Sequence, residues 1–133
     1  MFNDRIRVLI ANNLLQIREY LTMVLSHEPD MKIVGSVENS ILAVEQGLKL
    51  KPNVVLIDIR METPLAGLNA IRTLAERAPD IRSVVYTYLS NEEMVFTAFE
   101  AGAVDFLSMS SSAIETLTAI RAAAKDQTVI RPE

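Results

Sequence analysis

The chain contains no cysteine. That absence excludes a disulfide framework and any thiolate metal site, and it fits a reducing compartment. The apolar core of a secretory signal is missing too, since the N-terminus reads M-F-N-D-R. No apolar run approaches the roughly 20 residues that a membrane span needs. A cytoplasmic protein without membrane contact is the expectation. Basic residues are scattered and the formal net charge is −4, so the electrostatic footprint of a nucleic-acid surface is lacking. This chain by itself is expected not to bind DNA. Nor does A-N-N-L-L-Q, residues 11–16, hold a glycine or a serine/threonine cluster, which a phosphate-cradling loop would need.

What is present is enough for one domain: 133 residues can bury roughly two thirds of the surface that the unfolded chain exposes. Arg5 to Ala11 is a short apolar and β-branched run. A helical stretch follows, with apolar residues at Leu14, Ile17, Leu21, Val24 and Leu25, and Pro29 ends it. Met31 to Val37 reads as a second strand, and Asn39 or Ser40 caps a helix carrying Ile41, Val44 and Leu48 before Pro52. Val54 to Ile57 is apolar without alternation, the pattern of a parallel strand covered on both faces, and Asp58 stands at its end. After the loop M-E-T-P-L-A-G, Leu68, Ile71 and Leu74 mark a third helix. Ile81 to Thr87 gives a fourth strand, and Ser90-x-x-Glu93 reads as a capping box opening a fourth helix that Gly102 stops. Val104 to Leu107 gives a fifth strand, and Ser112-x-x-Glu115 caps a last helix with Ile114, Leu117 and Ile120 on one face.

Strands alternating with helices in this way make a parallel sheet with helices on both faces. Ligands of such sheets sit at the carboxyl ends of the strands, near the point where strand order reverses. The residues expected there are Asn12, Asn13, Asp58, Thr87, Tyr88 and, just past the fifth strand, Met109; only Asp58 is charged. An aspartate at a strand end can simply cap a loop. Asn13, with Gln16 three residues on, is well placed as N-cap of the first helix.

These positions, with I-R-V-L-I-A, V-V-L-I-D-I-R-M, V-V-Y-T and A-G-A-V-D-F-L, resemble the receiver domain of two-component response regulators. The resemblance runs from about Arg5 to Lys125. Within the family it is strongest to the NarL/LuxR-type branch, whose receivers precede a helix-turn-helix domain, because A-P-D-I-R-S-V-V and Q-T-V-I-R-P-E are similar to stretches found there. It implies a flavodoxin-like, doubly wound sheet in the order 2-1-3-4-5, a receiver over residues 1–125, and a tail, 126–133, that starts a linker to a DNA-binding domain absent from this chain. It also implies a non-enzymatic signalling role in the two-component phosphorelay, tied to transcription. Contacts would be made to a histidine kinase, and to a protein partner or a second copy in a dimer through the fourth helix, fifth strand and fifth helix, roughly Asn91 to Lys125.

The resemblance assigns site roles residue by residue. Asp58 matches the phosphoacceptor, a nucleophile. Thr87 matches the hydroxyl that moves toward the phosphoryl group, and Phe106 the aromatic that reports it. The family's acidic pair, which helps bind magnesium, aligns with Asn12 and Asn13. Its lysine aligns with Met109, which cannot pair with a phosphoryl oxygen and reads more simply as a flexible gap-filler. If each lost carboxylate costs even roughly 1.4 kcal/mol of attraction, the pair lowers ion affinity about a hundredfold. Were an ion bound, Asp58, Asn13 and the backbone carbonyl of Arg60 would hold it, although M-E-T-P-L-A-G is one residue longer than usual. No cofactor is expected. Tyr88 either screens the pocket as a gate or packs half-buried with a wet hydroxyl, and His27 is expected at the surface without a partner.

The reading is an atypical receiver in which phosphorylation at Asp58 is impaired or absent, and Asn12 or Asn13 donates to Asp58 in place of a metal. The alternatives are a conventional receiver phosphorylated at Asp58 and, more remotely, a flavin- or nucleotide-binding protein of the same fold.

Overall fold

A computed structural model describes residues 5–88 and 90–125. Along the chain run β1 (Ile6–Ala11), α1 (Leu15–Ser26), β2 (Met31–Val37), α2 (Ser40–Leu50), β3 (Val54–Ile57), α3 (Ala66–Arg77), β4 (Arg82–Thr87), α4 (Glu92–Ala101), β5 (Asp105–Ser108) and α5 (Ala113–Ala124). All strand pairs are parallel, and the sheet order is β2-β1-β3-β4-β5. The tail expected over residues 126–133 lies outside the described residues.

Strand side chains alternate across a sheet, and here the alternation divides the core in two. Leu9, Ala11, Val55, Ile57 and Val85 face a cluster closed by Ile71 and Leu74 of α3 and Ala98 of α4. Val8, Ile10, Leu56, Val84 and Tyr86 face the other, closed by Leu21 and Leu25 of α1 and by Leu117 and Ile120 of α5. Each fully buried Leu or Ile contributes about 1.5 to 3 kcal/mol relative to leaving it exposed. Burial on both faces explains why Val8 to Ala11 of β1 and all of β3 read as unbroken apolar runs. β2, at the edge, carries a register shift opposite Val8 and Leu9. Gly35 lies beside that shift, where a Cβ would stand 2.9 Å from the end of the Leu9 side chain.

The termini of the helices correct four expectations. Asn13 does not cap α1: Leu14 holds the N-cap position without a side-chain bond. The turn is made one residue earlier, where the Oδ1 of Asn12 accepts from the Leu14 N–H at 2.9 Å. At α4 the cap is Asn91, whose Oδ1 accepts from the Met94 N–H, and Ser90 lies outside the helix. Ile41 and Ile114 are not on buried faces, being 71% and 76% exposed. Both lie in the first turn of their helices, and α2 instead turns the small residues Ala43 and Gly47 inward, so that Leu74 of α3 comes close to the Gly47 backbone. The Ser112 to Glu115 capping box of α5 forms as expected. Gly102 ends α4 at φ 121°, a conformation that L side chains rarely adopt.

The C-terminal edge of the sheet as candidate functional site

Strand order reverses between β1 and β3, and the candidate residues gather there because the backbone ladders run one residue past each strand. Asn12 donates its N–H to the Val37 carbonyl at 3.0 Å, Asp58 to that of Ala11 at 3.0 Å, and Met109 to that of Thr87 at 2.8 Å. Three loops therefore leave the sheet at fixed depth, with their first side chains around one hollow.

Asp58 lies at its base, 5% exposed. Its Oδ1 accepts the Ile59 N–H at 2.7 Å and its Oδ2 the Nδ2 of Asn12 at 3.4 Å. Burial pushes the Asp58 carboxyl above its ordinary value of 3.8; the Thr87 hydroxyl, the N–H groups of Ile59 and Arg60, and the Arg60 charge act in the opposite direction without cancelling it.

Asn12 is buried and its polar atoms are engaged. Besides the Leu14 N–H and Asp58, its carbonyl accepts from Arg18 at 2.7 Å. The Leu14 bond fixes which way the amide faces: the oxygen turns to the backbone and the NH₂ turns to Asp58. The side facing the carboxylate is thus a hydrogen-bond donor, which satisfies the Asp58 anion and offers no oxygen ligand to a metal ion. Of the two asparagines only Asn12 makes this contact, whereas Asn13 is exposed on the pocket wall. Among the described residues no group of three or more His, Cys, Asp or Glu stands together. The donor set therefore does not fit a magnesium ion held by clustered carboxylates.

The long loop after β3 is tied at three points. Met61 is buried in the core, and Glu62 turns away from Asp58 to accept the N–H and hydroxyl of Ser40 at the start of α2. Although burial raises the Glu62 pKa, those Ser40 bonds bring it below the usual carboxylate value. Gly67 donates to the Ile59 carbonyl at 2.7 Å, and a Cβ on it would stand 1.9 Å from the Asp58 carbonyl oxygen. Neither the Glu62 clamp nor the Gly67 approach was legible in the sequence, because both depend on contacts that M-E-T-P-L-A-G makes with the start of α2 and with the end of β3.

Over Asp58 opens a cavity of about 640 Å³. Thr87 is buried beside it, and Met109, partly buried, packs against the α1/α5 core while lining the cavity. Phe106 is partly buried against the opposite core, and it does not line the cavity. Tyr88 is at the mouth, 74% exposed, so it is not half-buried packing. His27 is exposed as expected, but its Nδ1 contacts the Met23 carbonyl at 2.7 Å.

A parallel sheet of this order, with helices on both faces and a buried aspartate at the switch point, is a doubly wound, flavodoxin-like architecture. Residues 8–121 match the response regulator receiver domain family, and the chain belongs to that family. Its sequence is 30% identical over 98% of its length to an uncharacterized transcriptional regulatory protein of Bacillus subtilis, YxjL, and 31% identical over 92% to the transcriptional regulatory protein LiaR of the same organism. It spans 60% and 57% of the lengths of those relatives. The structure is similar to the receiver domain of the response regulator NarL of Mycobacterium tuberculosis, with a TM-score of 0.89 at 23% identity over 93% of this chain and 99% of that one. Both curated relatives are named as transcriptional regulatory proteins. No helix among the described residues is long and apolar enough to cross a membrane.

Proposed function

We propose that the chain is a receiver whose phosphorylation at Asp58 is impaired or absent, and which signals through protein contacts in the regulation of transcription. The observation that carries this reading is the Asn12 amide, held by Leu14 so that it offers a donor to Asp58. Phosphoryl transfer needs cationic neutralisation around the equatorial oxygens. Here Met109 stands where the family has a lysine, and among the described residues Asp58 is the one carboxylate lining the cavity. Residues 1–125 form the signalling unit, and 126–133 lead toward a further domain in the parent protein. Its contact face runs over α4, β5 and α5, where Phe96 and Phe99 of α4 are exposed, and it serves a partner protein or a second copy.

The retained Asp58 and Thr87 favour a second reading, a conventional receiver phosphorylated by a histidine kinase. Magnesium titration followed by NMR shifts at Asn12, Asn13 and Asp58 separates the two. No saturable binding at millimolar magnesium is expected; a saturating curve there would contradict the first reading.

A further inference from the structure

We infer that the cavity over Asp58 is a binding site for a small, largely apolar organic cation, an amine or amidine. This rests on the proposed function, in which the edge of the sheet takes an input other than phosphate.

Three observations carry it. The volume, about 640 Å³, falls within the range of small-molecule sites, roughly 300 to 1,000 Å³. The walls are apolar and come from both sides of the sheet: Ile17 and Met109 pack against one core, Ile59 and Met94 against the other, and Pro64 completes the wall. Methionine adapts to irregular ligand shapes, and such walls contribute nothing to holding a hydrated ion. The base is charged, since the buried carboxylate of Asp58 lies under this apolar volume. Its side-chain contact to Asn12 is long at 3.4 Å, so a stronger donor gains by replacing or supplementing it. An apolar body with a cationic head satisfies walls and base together. Arg60 also lines the cavity, but it is exposed; its charge sits toward solvent, where it disfavours a ligand with a second cationic group.

The test uses three probes with one ring system: naphthylmethylamine, naphthylmethanol and naphthoate, each titrated into the chain and followed by NMR. The amine should bind at least tenfold more tightly than the alcohol, naphthoate should not saturate, and the shifts should fall on Ile17, Met94 and Met109. Asp58→Asn should bring the amine down to the affinity of the alcohol, and Met109→Lys should abolish amine binding while leaving the spectrum of the fold intact. Equal affinity for all three heads, preference for naphthoate, or shifts confined to residues outside this cavity would overturn the assignment. Phosphoryl labelling of Asp58 bears on the proposed function separately: a labelled protein that also prefers the amine would refute impaired phosphorylation and leave this site standing.

Discussion

Asp58 works against the stability of the fold at neutral pH. Because burial raises its folded-state pKa above 3.8, its favourable contribution is complete below that value, where both states hold the proton. As pH rises through the window up to the folded pKa, the unfolded chain releases its proton first and the contribution is lost. Asp58→Asn should therefore gain stability relative to the parent as pH rises from about 3 to 7. Urea midpoints at the two pH values check this, and a constant difference between the proteins would contradict it. Asn12→Ala removes a turn bond and a donor to a charged acceptor, and should cost about 1 to 3 kcal/mol. Asn13→Ala, at an exposed position, should stay within about 0.5 kcal/mol; equal losses on denaturant unfolding would show that the asparagines are interchangeable. At this scale the sequence made Asp58, Thr87 and Asn12 legible, because strand ends follow from the apolar pattern. It did not separate Asn12 from Asn13, since either amide can cap a turn and only the tertiary position of β3 decides which one meets the carboxylate.

Among the elements, the junction of β3 with α3 is the most tightly constrained. A methyl on Gly67 would meet the Asp58 and Ile59 backbone, with distances of 1.9 Å to the Asp58 oxygen and 2.6 Å to the Ile59 Cα. At Gly47 the nearest atom is the end of a leucine side chain at 3.1 Å, which can move. Gly67→Ala should accordingly cost about 1 to 3 kcal/mol or more and shift the NMR signals of Asp58, while Gly47→Ala should leave that site unchanged. Matching effects at the two glycines would remove the close approach as an explanation. Ser112→Ala, which removes the hydroxyl that accepts from the Glu115 N–H and leaves the backbone N–H of residue 112 to donate to the Glu115 carboxylate, should lower thermal stability by about 1 kcal/mol. The strands β2 and β3 fell where pattern placed them, because length and the absence of alternation both signalled buried parallel strands. The cap of α4 was displaced by one residue, as Ser90 and Asn91 are adjacent and asparagine caps as well as serine does. Ile41 and Ile114 misled for another reason: α2 packs through small residues that a count of large apolar side chains overlooks.

At the scale of the whole molecule, two cores on opposite faces of one sheet leave a single edge where loops from β1, β3, β4 and β5 converge. Alternating strands and helices made the layered α/β class legible from pattern alone, whereas the order β2-β1-β3-β4-β5 came from resemblance, since no local pattern specifies which strands are neighbours. The apolar cavity was not legible: Ile17, Pro64 and Met94 are far apart in sequence and meet only through that order. The central claim is that this edge retains the aspartate and has lost the charges that make it react. The direct measurement compares phosphoryl labelling of Asp58 by acetyl phosphate in magnesium, read by intact mass, between the parent and the variant carrying Asn12→Asp, Asn13→Asp and Met109→Lys. Restoring the ion site alone is worth roughly a hundredfold in affinity, so the variant should label at least that much faster while the parent stays essentially unlabelled. A parent that labels as fast as the restored variant would contradict the account.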